Sequence, residues 1–384
     1  MIGFEDISKV VVGMVPLYVA LLLGYGSVRW WRLFTPEQCD GINRFICLFI
    51  FPLFSFDFTA NVDPFLMNYR LIAADAVSKV ITIMGFALWW AWARFGAGGP
   101  RPSGSLNSCV TGFSLSTLTN LLVVGVPAMS PMYGPLGMDL VIQLSVVQSL
   151  VWFPLLLMFL EFRKTRMESL QMASSGGVGA NSTSSDDHRH DQTNERDIEG
   201  TGNLEADNMN PNVIAERSDS SSRWGFMRVA GIKLAMNPNV IAVVLGVAWA
   251  LAAHWLKFKM PGVIKGSISI LSRAGTGTAM FNIGIFMATQ KKIIACGKGP
   301  TALGMILRFI VGPAVMAFSS FVMGLHGDPF RIAIIQAALP QSIASFVYAK
   351  EYGLHANVIS TAVVFGTLVS LPLLIGYYAA LQYL

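Results

Sequence analysis

Asp75 and Lys79 stand four residues apart inside the apolar run LIAADAVSKVITI. That spacing puts both side chains on one face of a helix. An ionisable group at bilayer depth costs about 2.5–3.5 kcal/mol on insertion scales. The pair therefore either only holds helices together or stands beside a path for a charged substrate. A fixed charge at Lys79 would also stand where other carriers bind a cation, so that no sodium is needed. Two further runs carry polar groups at mid-span. SLSTLTNLLVVGVPAM places Asn120 amid Ser and Thr, and IIQAALPQSIASFVYAKEY places Pro340, Gln341 and Ser342 at its centre. Proline removes a backbone donor and clashes with the carbonyl one turn back. Both runs therefore read as helices broken within the membrane, whose half-helix N-termini, partially positive, face an anion. The plainer alternative is a kinked helix with ordinary packing polar groups. Arg273 and Arg308 read as side chains that snorkel to an interface. Gln143, Gln148, Asn282, Gln336 and Gln341 each suit an interhelical hydrogen bond.

Bond-making chemistry finds no support: HExxH, GxSxG and a catalytic histidine constellation are absent from the sequence. The four cysteines, Cys39, Cys47, Cys109 and Cys296, form no CxxC pair; three lie in or beside apolar runs, and they read as free, buried thiols. Neither a metal site nor a cofactor is expected.

The elements that must position these groups follow from composition. The chain has 384 residues, 53% hydrophobic and 13% charged, with mean hydropathy +0.55. A soluble domain carries about 25% charge, so lipid is the solvent. The net charge of +5 suits cytoplasmic loops rather than nucleic acid. No cleavable leader is expected, since the first apolar run follows an acidic stretch. About ten segments approach spanning length: Val10–Val28, Ile42–Thr59, Leu71–Trp92, Cys109–Ser130 and Asp139–Leu160, then Asn239–Trp255, Ile264–Met287, Thr301–Leu325, Ile332–Tyr348 and Val358–Leu381. The expected fold is all-α, ten transmembrane helices as two inverted five-helix repeats with two broken crossover helices. Residues 1–162 form the first repeat and 229–384 the second.

Between them, 163–228 is rich in Ser, Asp, Asn, Glu and Gly and reads as disordered. It contains His188 and His190, a solvated cluster rather than a metal site, and the glycosylation pattern Asn181-Ser182-Thr183. Placing this stretch in the cytoplasm puts Arg29, Arg32, Arg94, Arg101, Arg163, Lys164, Arg166, Arg223, Arg228, Lys233, Lys291, Lys292, Lys298 and Lys350 inside. Only Lys9, Arg70, Lys257, Lys259, Lys265 and Arg331 stay outside, a bias that favours this orientation. LVWFPLLL at Leu150–Leu157 and LVSLPLLI at Leu368–Ile375 support the duplication. An odd number of helices per half inverts the second half.

Longer motifs carry a resemblance: VPLYVALLLGYGSV, FTPEQCDGINRF, PLFSFDFTANVDPF, LSTLTNLLVVGVPAM, GTAMFNIGIFMA, AALPQS, FVYAKEYGLHANVIST and VVFGTLVSLP. In these the chain resembles the PIN-FORMED auxin efflux carriers of plants, and its short central stretch resembles the branch resident in the endoplasmic reticulum. The resemblance implies a scaffold domain, a mobile transport domain with two crossed broken helices, a homodimer in the lipid bilayer, and an elevator-like cycle without a sodium or proton gradient. It implies indole-3-acetic acid and related small organic anions as cargo. Endoplasmic reticulum residence is implied, with both termini lumenal; the plasma membrane is the alternative.

By the same resemblance Asn120 matches the crossover asparagine that meets the carboxylate. Asp75, Lys79 and Gln148 match a polar support site behind it. Ser55 matches a serine near the substrate pocket, and Pro340 and Gln341 the start of the second broken helix. Leu144, Val147 and Val151 are further candidates to enclose the indole. The chain departs from many relatives at Thr119 and Ser345, where they carry proline, and at Phe153, where they carry tyrosine. The rival readings are a sodium-coupled organic-anion symporter of similar fold, and a transport-inactive membrane scaffold.

Overall fold

The computed structural model describes residues 4–95, 105–176, 235–290 and 296–383, with Arg228, Gly231 and Ile232 between them. The chain divides into a unit of Met1–Pro154 with Ala235–Leu384 and a second unit, Leu155–Leu234. The described residues are helical apart from turns and one isolated β-bridge.

The larger unit begins with α1 (Phe4–Arg29). Helix α2 (Pro36–Phe45) starts in a capping box, in which the Thr35 hydroxyl accepts from the Gln38 amide and Gln38 Oε1 accepts from the Thr35 amide. It continues through a π-helical turn, Ile46–Ile50, into α3 (Phe51–Ala60). Helices α4 (Tyr69–Phe95) and α5 (Ser105–Thr117) follow. A second π turn, Leu121–Gly125, opens α6 (Val126–Val147), which bends at Gly134 (φ 62°) between Pro131 and Pro135. A third, Gln148–Trp152, leads into α7 (Phe153–Gly176). Then come α8 (Pro238–Leu256), capped by Asn237, and α9 (Gly262–Thr289). Helix α10 (Lys298–Ile306) passes through the π turn Leu307–Val311 into α11 (Gly312–Val322). Last are α12 (Asp328–Ala337), α13 (Ile343–Glu351) and α14 (Ala356–Leu381).

Each π turn ends next to a proline: Pro52, Pro127, Pro154 and Pro313. The ring cannot donate and crowds the carbonyl four residues back, and the widened turn absorbs the crowding. The carbonyl of Phe309, four residues before Pro313, accepts instead from the Tyr377 hydroxyl on α14.

Seven helical stretches among the described residues are long and apolar enough to cross a membrane: Val10–Arg29, Pro36–Ala60, Tyr69–Trp92, Leu121–Thr165, Pro238–Leu256, Lys298–Val322 and Ala356–Leu381. The expected helix Cys109–Ser130 is interrupted at 118–120, between α5 and the second π turn, and Ile332–Tyr348 at 338–342, between α12 and α13. Helices α5, α12 and α13 are each too short to span alone, whereas the piece after the first interruption belongs to Leu121–Thr165.

A continuous core includes Met14, Leu21, Phe54, Leu71, Leu144, Met280 and Leu339. Large apolar side chains also cover the outside, among them Val12, Leu22, Leu88, Trp92, Ile270 and Phe321. Water would penalise such a surface and lipid does not. In the second unit, Leu155–Gly176 is helical, so the helix runs on past Arg163, where disorder was expected. RKTRMESLQMA is rich in strong helix formers, which accounts for the extension. The remaining features expected of the central stretch, His188, His190 and Asn181-Ser182-Thr183, lie outside the described residues, as do Arg101, Arg223, Lys233, Lys291 and Lys292.

Candidate functional site

The two interruptions meet. Thr119 and Gln341 form an antiparallel β-bridge. The Asn120 amide donates to the Pro340 carbonyl at 2.9 Å, and the Ser342 amide to the Leu118 carbonyl at 3.2 Å. Backbone groups that a broken helix leaves open in lipid are thereby satisfied across the crossing. Side chains complete the junction. Gln148 pairs with both sides of the Thr119 peptide unit, its Oε1 accepting from the amide at 3.3 Å and its Nε2 donating to the carbonyl at 2.8 Å. Gln341 Nε2 donates to the carbonyl and hydroxyl of Ser114 at 3.1 and 3.2 Å.

Beyond the crossing each chain starts a new helix. Asn120 precedes one and Ser342 the other, and neither side chain caps it. The first amides of both helices therefore lack the usual side-chain acceptor. Leu122, Ile343 and Ala344 beside them are only half-buried. Two partially positive helix starts at one crossing form a receptor for negative charge. Ser345 lies in the first turn of α13 with its buried hydroxyl unpartnered among the described residues, as are Thr119 Oγ1 and Gln341 Oε1.

The charged pair stands close by. Lys79 Nζ meets Asp75 Oδ2 at 2.6 Å, and both side chains are buried. The ammonium also lies 4.9 Å from the Trp152 ring centroid, in the π turn that carries Gln148. A polar cavity of about 10 Å³, room for a single water, is lined by Asp75, Ser78, Lys79, Thr82, Ser116 and Gln336 among others. It connects the ion pair with the ends of α5 and α12.

The remaining candidates are more dispersed. Ser55 on α3 is buried and donates to Asn239 Oδ1 at 2.6 Å, at the start of α8. Leu144 lies in the core, Val147 is half-buried, and Val151 is 42% exposed. Phe153 packs edge-on to Tyr348 at 6.1 Å. Gln143 Oε1 accepts from the Asn68 amide, and Asn282 donates to Asn43. The four cysteines are free, Cys39 and Cys109 buried and the other two half-buried. No group of three or more His, Cys, Asp or Glu side chains is placed to hold a metal among the described residues.

Arg308 corrects the snorkelling expectation. It is 0% exposed and reaches no interface. Its Nε donates to the Leu339 carbonyl at 2.6 Å, and its Nη1 faces the carbonyls of Leu115 at 3.2 Å and Leu118 at 3.5 Å. Its place midway along an apolar run, comparable to that of Lys79, was the available signal. Asn239, Trp152 and Ser114 carried none, since amides, indoles and hydroxyls are common in such helices.

Residues 9–378 match the family described as membrane transport protein. Auxin efflux carrier component 5 of Arabidopsis thaliana is 51% identical over 384 residues, with all of both chains covered. This chain belongs to the auxin efflux carrier family. Among other members, probable auxin efflux carrier component 5a of Oryza sativa subsp. japonica is 50% identical over 383 residues, covering 100% of this chain and 99% of the relative. Auxin efflux carrier component 8 of Arabidopsis thaliana is 38% identical over 383 residues, covering all of both. The end-to-end match with the component 5 relatives places the chain in the short-loop type. The family description and the apolar helices together make this a multi-pass membrane transport protein.

Proposed function

We propose that this protein carries the indole-3-acetate anion across the endoplasmic reticulum membrane and so contributes to intracellular auxin homeostasis. The observation that carries the reading is the crossing itself, where two uncapped helix starts and the Asn120 carboxamide offer donors to a carboxylate. A carboxylate crosses hydrocarbon only at high cost, and a receptor that supplies partial positive charge without a fixed ion can release it again. Leu144, Val147 and Val151 supply the apolar side for the indole ring, with Ser55 as a polar group beside it.

In this reading the chain spans the membrane ten times, as two inverted five-helix repeats whose fourth members are the interrupted helices. The repeats of 1–162 and 229–384 flank a cytoplasmic segment, and both termini are lumenal. A homodimer provides the scaffold against which the crossing moves, elevator-like, with Asp75, Lys79 and Gln148 as its support. The names of the relatives support auxin as cargo, and the Lys and Arg distribution supports the orientation. Reticulum residence rests on likeness to short-loop carriers.

The test is uptake of labelled indole-3-acetate into proteoliposomes, with and without a sodium gradient. Saturable, sodium-independent uptake that Asn120→Ala abolishes while leaving the protein folded is the expected result. A strict sodium requirement would replace this reading with the symporter. No uptake of indole-3-acetate or other organic anions by folded protein would leave the scaffold.

A further inference from the structure

Arg308 has an uncommon environment for a cation. It is wholly buried, it forms no ion pair with a carboxylate among the described residues, and its Nη2 has no hydrogen-bond partner among them. Its counter-charge is made of backbone carbonyls: Leu115 and Leu118 at the end of α5, and Leu339 just past the end of α12. Each helix end carries about half a negative charge, so two ends meeting at one point sum to about one charge, the amount one guanidinium cancels. Two local features bring it there. The π turn Leu307–Val311 carries Arg308, and Gly312 lets α11 approach the end of α5, since a Cβ at Gly312 would stand 2.6 Å from the Ser116 carbonyl. The guanidinium fork spans both interrupted helices with three contacts, which a spherical ion or an ammonium does less well.

We propose that Arg308 is a built-in counter-cation of the crossing. It fills a carbonyl cage that would otherwise need a bound cation, and it holds the two helix starts on the far side in register for an anion. It is a positioning residue, acting through Leu115, Leu118 and Leu339 and not touching cargo. The anion part of this inference rests on the carrier reading above; the cage does not.

The test uses full-length Arg308→Ala beside the wild type, with guanidinium chloride at low millimolar concentration as probe and choline chloride and urea as controls. A ligand that binds only the folded form raises the unfolding temperature. Guanidinium is expected to raise the unfolding temperature of Arg308→Ala and leave the wild type unmoved. Misplacing donors by 1 Å costs up to about a hundredfold, so indole-3-acetate uptake should fall roughly tenfold or more in the variant and recover with guanidinium. A variant that ignores guanidinium, or that transports at the wild-type rate, overturns the proposal. Should Arg308→Ala not fold, Arg308→Lys and Arg308→Met decide. Greater thermal stability and tighter indole-3-acetate binding in the lysine variant support a charge role, and equal behaviour removes it. If the wild type itself carries no indole-3-acetate, the cargo reading falls while the thermal comparison still judges Arg308.

Discussion

Gln148 shows how a single side chain holds the crossing. Its amide matches the donor and acceptor of the Thr119 peptide unit as a neighbouring strand would. Thr119, unlike a proline, has a backbone N–H, and Gln148 supplies that N–H with an acceptor. Gln148→Leu keeps the bulk and leaves two buried backbone groups unpaired. We expect a loss of about 1–3 kcal/mol for each group so exposed, read as a lower unfolding temperature together with weaker indole-3-acetate binding. Unchanged affinity in a destabilised protein would confine Gln148 to a structural role. The functional residues were unequally legible at this scale. The family resemblance grouped Asn120, Asp75, Lys79 and Gln148; in the structure Gln148 bonds to Thr119, next to Asn120, and Lys79 lies over Trp152 in the π turn that carries Gln148. Arg308 was misread because a lone arginine in an apolar run has the same signature whether it snorkels or is buried; only the position of the carbonyl ends of two distant helices separates the cases.

At the scale of elements, α1 and α9 pack by mutual intrusion of backbone. A Cβ at Gly24 would lie 2.0 Å from the Phe281 carbonyl oxygen, and a Cβ at Gly284 2.0 Å from that of Leu21. Neither neighbour is a flexible side-chain tip, so the helices themselves must part. Gly24→Ala should destabilise the protein by roughly 1–3 kcal/mol, as overpacking does. Gly85→Ala, where nothing lies within 4 Å, should be neutral or stabilising by up to about 1 kcal/mol. Thermal unfolding of both variants in one lipid composition checks the contrast; equal losses would contradict the close approach. Helix positions were readable from apolar length: Asn239–Trp255 emerges as Pro238–Leu256, and Val358–Leu381 as Ala356–Leu381. The break at Pro340 was readable from the proline. The π turns were not, because a proline inside an apolar run announces a disturbance without saying whether it becomes a kink, a break or a widened turn. The extension of α7 to Gly176 was hidden because its polarity masks its helix propensity.

For the whole molecule, the central segment 163–228 separates the carrier reading from the scaffold reading. It is rich in Ser, Asp, Asn, Glu and Gly, a composition poor in core-forming side chains, so transport is expected not to need its sequence. Replacing residues 177–227 with a shorter Gly/Ser linker is expected to keep indole-3-acetate uptake within about twofold, since flexible connections tolerate changes of length. Loss of uptake in a folded protein would assign the segment a part in the cycle. The crossing has a consequence of another kind. The amides of Thr119, Asn120 and Ser342 bond to residues on other segments rather than to carbonyls one turn away. Deuterium uptake at Asn120 and Ser342 is therefore a clock for separation of the two interrupted helices, distinct from fraying at helix ends, and cargo that clamps the crossing would slow that clock.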